Sequence, residues 1–418
     1  MQQESLTPQI DPLSIPASSS LKSQVQTFCL PPELEKWFEV DLENDPRDPT
    51  WIAAWTYFAS ALSSHGYHLF FTHILRPEDP SPTLHSADFF SPPRDPFRPG
   101  EEEAFVFAEF PYPLEREFTC HVPTVFPGYD FKHREVIIKA LRTESGELSI
   151  LETLSGPQAR SNQDNHTIPV LAIVPVGGWT LVVMPAWGRV AQFAPISIGE
   201  YLQHVEQYLE GLAFMHNLGI THGDISQSNV LLNHRSNSFW IPNSLLDRRL
   251  FDLRVAYIDF GLARQFNGPP EALATCDRLV SSGGGTEPFI SPEVARCLEE
   301  GGKWDAFSAD VYSLAAVIQV ELDKNKFSRT LVAQMCPIQV PFKPPVEDAL
   351  SLHVPQLSEL LRRMTTDVPE KRPSAQEALL EVRRLRQDTD PQTLALPGDS
   401  QSTAGPLDGS YYPVLKQP

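Results

Sequence analysis

Two aspartates and an asparagine mark where chemistry concentrates in this chain. Asp224 and Asn229 are five residues apart in Ile220-Thr221-His222-Gly223-Asp224-Ile225-Ser226-Gln227-Ser228-Asn229-Val230-Leu231-Leu232. An apolar run on each side of this polar centre predicts a loop pinned between two buried segments. Further on, Tyr257-Ile258-Asp259-Phe260-Gly261-Leu262-Ala263 repeats an apolar-Asp-apolar-Gly punctuation. Carboxylate and carboxamide oxygens held in such loops can orient and deprotonate a hydroxyl, or ligate a hard cation.

In their order, the two stretches resemble the catalytic loop and metal-binding loop of eukaryotic protein kinases, H-R-D-x-x-x-x-N followed by D-F-G. The resemblance implies ATP and Mg²⁺ as cofactors. It makes Asp224 the group that orients and deprotonates the substrate hydroxyl, and Asn229 and Asp259 the metal ligands. It also implies an α+β fold of two lobes, a small antiparallel β-rich N-lobe and a larger helical C-lobe.

The elements that must position these residues are readable on both sides. Arg134-Glu135-Val136-Ile137-Ile138-Lys139-Ala140-Leu141 is a β-branched strand carrying a lysine. A lysine buried there needs a partner; one on an alternating strand could instead face solvent. Glu147 to Leu154 then has helical spacing, with Leu148, Leu151, Ile150 and Leu154 able to share a face. The pair is similar to the kinase V-A-I-K strand and its following helix. By that resemblance Lys139 contacts the α- and β-phosphates and Glu147 pairs with it, Glu144 being an alternative partner. Leu181-Val182-Val183-Met184-Pro185-Ala186-Trp187-Gly188 resembles the last small-lobe strand and the hinge. Met184 is then the gatekeeper, the Pro185 carbonyl an acceptor for adenine and the Trp187 amide its donor, since Pro185 has no N–H.

Leu202, Val205, Leu209, Leu212 and Met215 predict an amphipathic helix leading to the catalytic loop, with Ser197 and Glu200 as a capping box. Gly285-Thr286-Glu287-Pro288-Phe289-Ile290-Ser291-Pro292-Glu293 is similar to the end of a kinase activation segment, with Ser-Pro-Glu for Ala-Pro-Glu. Asp310 by resemblance anchors the catalytic-loop backbone, and Arg372 pairs with Glu293. Ser374 and Glu377 form another capping box. The large-lobe motifs imply a Ser or Thr acceptor on a protein substrate. The small-lobe phrases Ile168-Pro169-Val170-Leu171 and Val183 to Gly188 also resemble a group of kinase-like proteins abundant in mushroom-forming fungi.

Three positions depart from the family pattern. No G-x-G-x-x-G precedes Lys139; Gly128 alone lies in that region, so close backbone approach to the phosphates is reduced. Gly223 replaces the Arg of H-R-D, so control through a phosphate on the activation segment is not expected. Ser226 replaces the catalytic-loop lysine, which removes a cation and predicts slow turnover. Two rival readings follow. His222-Gly223-Asp224 is similar to small-molecule phosphotransferases of the aminoglycoside and choline type; the Ser291-Pro292-Glu293 segment end, Asp310 and Arg372 favour a protein kinase. A pseudokinase, a binding or scaffold module without transfer, would explain the lost glycines, but Lys139, Glu147, Asp224, Asn229 and Asp259 are all present.

The 418 residues suffice for two lobes plus extensions, and a net charge of −20 argues against nucleic acid or an anionic membrane as partner. Five scattered cysteines without a C-x-x-C, and no signal peptide over Met1–Ser20, predict an intracellular protein, cytoplasmic or nuclear. The uncharged run Ile168 to Trp187 is cut by Pro169, Pro175, Gly177-Gly178 and Pro185. It therefore predicts two buried strands joined by a Gly-Gly turn, not a membrane span. The expected organisation is a disordered N-terminus (1–30), a partly helical extension (31–115, with a helix from Trp51 to Leu62), a kinase domain (116–387) and a disordered tail (388–418). Within the domain the N-lobe is 116–184, the hinge 185–187 and the C-lobe 188–387. Residues 233–252, with Arg248 and Arg249, read as a surface insertion in a hairpin.

Overall fold

The computed structural model describes residues 35–41, 49–69, 122–131, 134–189, 197–233, 253–335 and 354–396. The expected disordered N-terminus and nearly all of the 233–252 insertion lie outside these residues. Asn233 is described, and it closes the base of the expected hairpin: its Oδ1 accepts from Arg254 N at 2.8 Å, and its N donates to the Arg254 carbonyl at 2.9 Å.

Helix α1 (Pro49–Ser64) precedes an antiparallel five-stranded sheet. Its strands are β1 (Tyr67–Leu69), β2 (Val125–Asp130), β3 (Glu135–Arg142), β4 (Ala172–Val176) and β5 (Trp179–Pro185), in the order β1-β2-β3-β5-β4. Strand alternation splits the sheet between two apolar clusters. Val136, Ile138 and Ala140 of β3, with Trp179, Leu181 and Val183 of β5, pack with Trp37, Trp51, Trp55 and Phe58. Val182 and Met184 face the other cluster, with helix α2 (Gly146–Ser155). A sheet covered on both faces needs continuous apolar strands. That is why β5 reads as an uncharged run and is buried at every position. Gly177 (φ 49°) and Gly178 (φ 83°) make the two-residue turn between β4 and β5 that the sequence predicts. Among the described residues no helix is long and apolar enough to cross a membrane.

Two boundaries differ from expectation. The small lobe does not begin at 116: β1 is the edge strand of its sheet and α1 covers its outer face, with Trp55 Nε1 donating to the Pro123 carbonyl at 2.8 Å. Gly128 serves this edge. A Cβ there would stand 2.5 Å from the His68 carbonyl oxygen, so glycine lets β1 and β2 pair.

After α2 comes the short helix α3 (Pro157–Ser161), and the connection to β4 is stitched to the large lobe. The Ile168 amide donates to the Tyr257 carbonyl at 3.0 Å, and the Tyr257 amide to the His166 carbonyl at 2.8 Å. The buried Arg160 guanidinium donates to the Thr167 and Ile168 carbonyls and to the Thr167 hydroxyl. From β5 the chain crosses through Ala186 and Trp187 to β6 (Gly188–Arg189). Helix α4 (Ile198–Asn217) follows, with Leu202, Val205, Leu209, Leu212 and Met215 all fully buried at the predicted spacing. The Ser197 hydroxyl accepts from Glu200 N at 3.1 Å, the first half of the expected capping box.

The large lobe continues through β7 (Ile220–Thr221), β8 (Val230–Leu232), β9 (Val255–Tyr257), β10 (Arg264–Gln265), β11 (Leu279–Val280), α5 (Pro292–Glu300), β12 (Trp304–Asp305) and α6 (Ala306–Met335). It ends with α7 (Pro355–Met364), α8 (Ala375–Asp388) and α9 (Pro391–Leu394). Helix α8 starts with the full capping box of Ser374 and Glu377. Helix α9 falls where a disordered tail is expected. It is capped by Asp390 and held to the start of α4, where Ile198 N donates to the Leu396 carbonyl at 3.0 Å. Residues 397–418 lie outside the described residues.

Candidate active site

The loop between β7 and β8 is set by Asp310, a buried residue of α6. Its Oδ2 accepts from His222 N at 2.8 Å and from His216 Nε2 at 3.1 Å, and its Oδ1 accepts from Gly223 N at 2.9 Å. His222 is wholly buried: its Nε2 donates to the Ile258 carbonyl at 3.0 Å and its Nδ1 accepts from Asp224 N at 3.2 Å. This ring ties the loop to the approach to Asp259. Gly223 has φ 77°, and a Cβ on it would meet the Leu262 carbonyl oxygen at 2.6 Å. The departure from the family arginine therefore has a local steric basis.

Asp224 is held at both oxygens. Asn229 Nδ2 donates to Oδ2 at 2.9 Å and to the Asp224 carbonyl at 2.9 Å, and the Thr286 hydroxyl donates to Oδ1 at 2.8 Å. Because the Asn229 amide nitrogen is spent on Asp224, its oxygen is the atom left to face a cation. Ser226 is buried, its hydroxyl 2.8 Å from that of Ser228.

From the small lobe, Lys139 Nζ donates to Glu147 Oε1 at 2.6 Å and to Asp259 Oδ1 at 2.8 Å. Glu147, not Glu144, is the partner. Ser145 caps α2, accepting from Leu148 N at 3.2 Å, and so sets Glu147 on the first turn. Burial alone would pull the Lys139 pKa down; the charges of Glu147 and Asp259 outweigh it and hold the ammonium above the usual lysine value. Burial would likewise raise the Asp259 pKa, and Lys139 overrides it, so the carboxyl is held below its ordinary value. Asp259 has φ 63°, uncommon for a residue with a side chain, and its Oδ1 accepts from Gly261 N at 3.3 Å.

The hinge corrects an expectation. Met184, Ala186 and Trp187 are buried, yet the Trp187 amide donates to the Pro185 carbonyl at 3.0 Å, closing a three-residue turn. The Trp187 amide expected to meet adenine is engaged within the turn, while the Pro185 carbonyl keeps a second lone pair.

The Arg372 guanidinium is bidentate to Glu293, at 2.6 and 2.8 Å, as the resemblance implies. Residues 187–382 match the protein kinase domain. Over those residues the chain carries a protein kinase domain of the eukaryotic kind. It is similar to the serine/threonine-protein kinase ppk8 of Schizosaccharomyces pombe, 34% identical over 112 residues, 27% of this chain and 17% of that protein. It is also similar to the serine/threonine-protein kinase cds1 of the same organism, 29% identical over 181 residues, 42% of this chain and 34% of that one. With the serine/threonine-protein kinase GIN4 of Saccharomyces cerevisiae it shares 25% over 185 residues, 43% and 13% respectively. The matched part thus spans about a third or less of these kinases' lengths. The kinase match begins at the hinge, so the small lobe rests on the geometry above.

Sequence reasoning missed two residues of the kinase site. Thr286 reaches Asp224 across 62 positions; it lies in the segment read as the end of the activation segment, but nothing in that segment's composition reports the contact. Arg264 donates to the Ser282 carbonyl and hydroxyl, both at 2.6 Å, and so holds the activation segment.

Proposed function

We propose that this chain is an ATP-dependent protein kinase that transfers the γ-phosphate to a Ser or Thr hydroxyl. The observation that carries the reading is the double contact of Lys139 with Glu147 and Asp259, which brings strand, helix and metal-binding loop together in one assembled site. Bound Mg²⁺·ATP would supply the phosphoryl group and neutralise its charge. The residues fit its phosphate end. Lys139 offers a fixed ammonium, and the Asn229 oxygen and the Asp259 carboxylate are oxygen donors suited to Mg²⁺. Among the described residues no three His, Cys, Asp or Glu side chains converge to hold a metal alone. A magnesium ion would then take its remaining oxygens from phosphate and water, which is its usual habit.

Asp224 accepts the proton of the substrate hydroxyl. Thr286 and Asn229 fix its carboxylate, and Asp310 fixes its backbone. The protein-substrate reading is supported by the Glu293–Arg372 pair and by the Ser313 hydroxyl, which donates to the Phe289 carbonyl at 2.8 Å; both hold the segment that leads to Thr286. The Ser/Thr class is carried over from the names of the relatives. With Ser226 buried and neutral, turnover is expected to be slow.

The test is phosphate transfer from labelled ATP to a panel of generic protein substrates, and separately to aminoglycosides and choline, by wild type and Asp224→Asn. Transfer to protein that the variant loses supports the reading. Equal incorporation by both would reject Asp224 as the base. Transfer confined to the small alcohols would favour the small-molecule rival, and Mg²⁺·ATP binding with no transfer the pseudokinase.

A further inference from the structure

A hollow of about 370 Å³ lies between the outer side of α2 and the strand β4. Ser145, Leu148, Ser149 and Glu152 line it from the helix. They recur at three and four and so share one face, and Glu147 leaves the opposite side toward Lys139. From the sheet it is lined by Ile173 and Pro175. Val174 and Val176 point into the tryptophan cluster, so alternation turns Ile173 and Pro175 toward α2. Ile173 is 37% exposed, although Val182 opposite it is fully buried. Strand β4 is an edge of the sheet, and Pro175 brings no N–H to it, which works against a sixth strand adding there. The open apolar wall is therefore approached across the face. The hollow has one sign of charge. Glu144 and Glu152 are exposed at its rim. Among the described residues no Lys or Arg lines it. The cations nearest in sequence are turned away: Lys139 pairs with Glu147, and the Arg142 guanidinium stacks over Trp179 at 4.1 Å and Phe38 at 5.0 Å on the other face of the sheet. The Thr180 hydroxyl on the floor is engaged with Thr143 at 3.1 Å.

We propose that this hollow docks a segment of a partner protein that carries apolar side chains flanked by Arg or Lys. The apolar side chains cover Ile173 and Pro175, and the cations meet Glu144 and Glu152. The volume is at the low end of the roughly 300–1,000 Å³ of ligand pockets, so it takes one or two side chains. The two acids are eight positions apart, about 12 Å at the helical rise. Basic residues three apart on an extended segment stand about 10 Å apart, which matches. The segment would bear on the helix that presents Glu147 to Lys139. Docking itself does not depend on phosphate transfer.

The test is fluorescence anisotropy of a labelled peptide, Gly-Arg-Leu-Phe-Arg-Gly, titrated with the full chain. Saturable binding is expected. Charge reversal in Glu144→Lys/Glu152→Lys should weaken it about tenfold or more, because like charges brought together across an interface cost at least that. Ile173→Ser should weaken it about fourfold or more, the worth of one methylene group removed from water. The peptide with both arginines replaced by glutamate asks the same question of the unaltered protein, and should not bind. Absence of saturation with up to about 1 mM protein would overturn the proposal. So would equal binding by the charge-reversed protein or by the glutamate peptide, since either would place the peptide elsewhere. A dimer of the full chain in sedimentation that Ile173→Ser dissociates would assign the hollow to a second copy, and would overturn it too.

Discussion

Lys139 Nζ lies 2.8 Å from Asp259 Oδ1, across 120 positions of the chain. The folded Asp259 pKa is lowered, so its contribution to stability is full above the unfolded value of about 3.9 and is lost as pH falls through the lowered one. The folded Lys139 pKa is raised, so its contribution is full below about 10.4 and is lost as pH rises through the raised one. Asp259→Asn should therefore be less stable than wild type on the plateau between these limits, and the gap should close in acid. Urea denaturation at several pH values checks this; a gap that stays constant down to pH 3 would remove Asp259 from the titration.

The Thr286 hydroxyl donates to Asp224. A hydrogen bond to a charged group is worth about 1.5–3 kcal/mol. Thr286→Ala is thus expected to lower kcat by about 10- to 150-fold and to leave the thermal shift with ATP unchanged, while Thr286→Ser restores the rate. Steady-state kinetics on all three proteins decides it. A loss of nucleotide binding in the alanine variant would assign Thr286 to another role.

Arg372 has no exposed side-chain surface. It is bidentate to Glu293, donates to the Thr366 and Ser308 carbonyls and stacks over Tyr312 at 4.9 Å. Removing one partner of a buried ion pair costs about 3–5 kcal/mol. Arg372→Ala should lose that much in urea denaturation. Arg372→Lys should recover only part of it, because an ammonium cannot reproduce the planar fork. Full recovery by lysine would show that charge alone matters there.

Trp55 is fully buried between α1 and the sheet, 5.1 Å from the Phe126 ring centre, and hydrogen-bonded to the Pro123 carbonyl. Trp55→Ala is expected to cost about 3–5 kcal/mol. A chain starting at residue 116 would expose Val136, Ile138, Ala140, Leu181 and Val183 together, and should show no cooperative unfolding transition. A cooperative transition in that truncated chain would show that α1 is dispensable.

These elements also show what was legible in advance. The residues around Asp224 and Asp259 were readable because phosphoryl transfer demands particular side-chain types at particular spacings. Helix α4 was readable because one apolar stripe at helical spacing faces one core. The double burial of β5 was visible as an uncharged run, but what covered its outer face was not: α1 lies more than a hundred residues upstream, and its tryptophans name no partner. Gly128 lies in the region where the family's phosphate loop would stand, but its missing Cβ makes room for the His68 carbonyl. The Pro185–Trp187 turn joins two backbone atoms, and neither residue type encodes it.

The stitch between Thr167 and Tyr257 has a mechanical consequence. It ties the far end of α2 to the large lobe's frame, so a pivot of α2 would have its fulcrum near Ser155 and its load at Glu147. The arm is about 12 Å long at ~1.5 Å per residue. A swing of about 15° about that fulcrum would carry Glu147 about 3 Å along its arc, enough to part it from Lys139. Any ligand that tips the small lobe by that modest angle has leverage over the ion pair, although the fulcrum itself stays still.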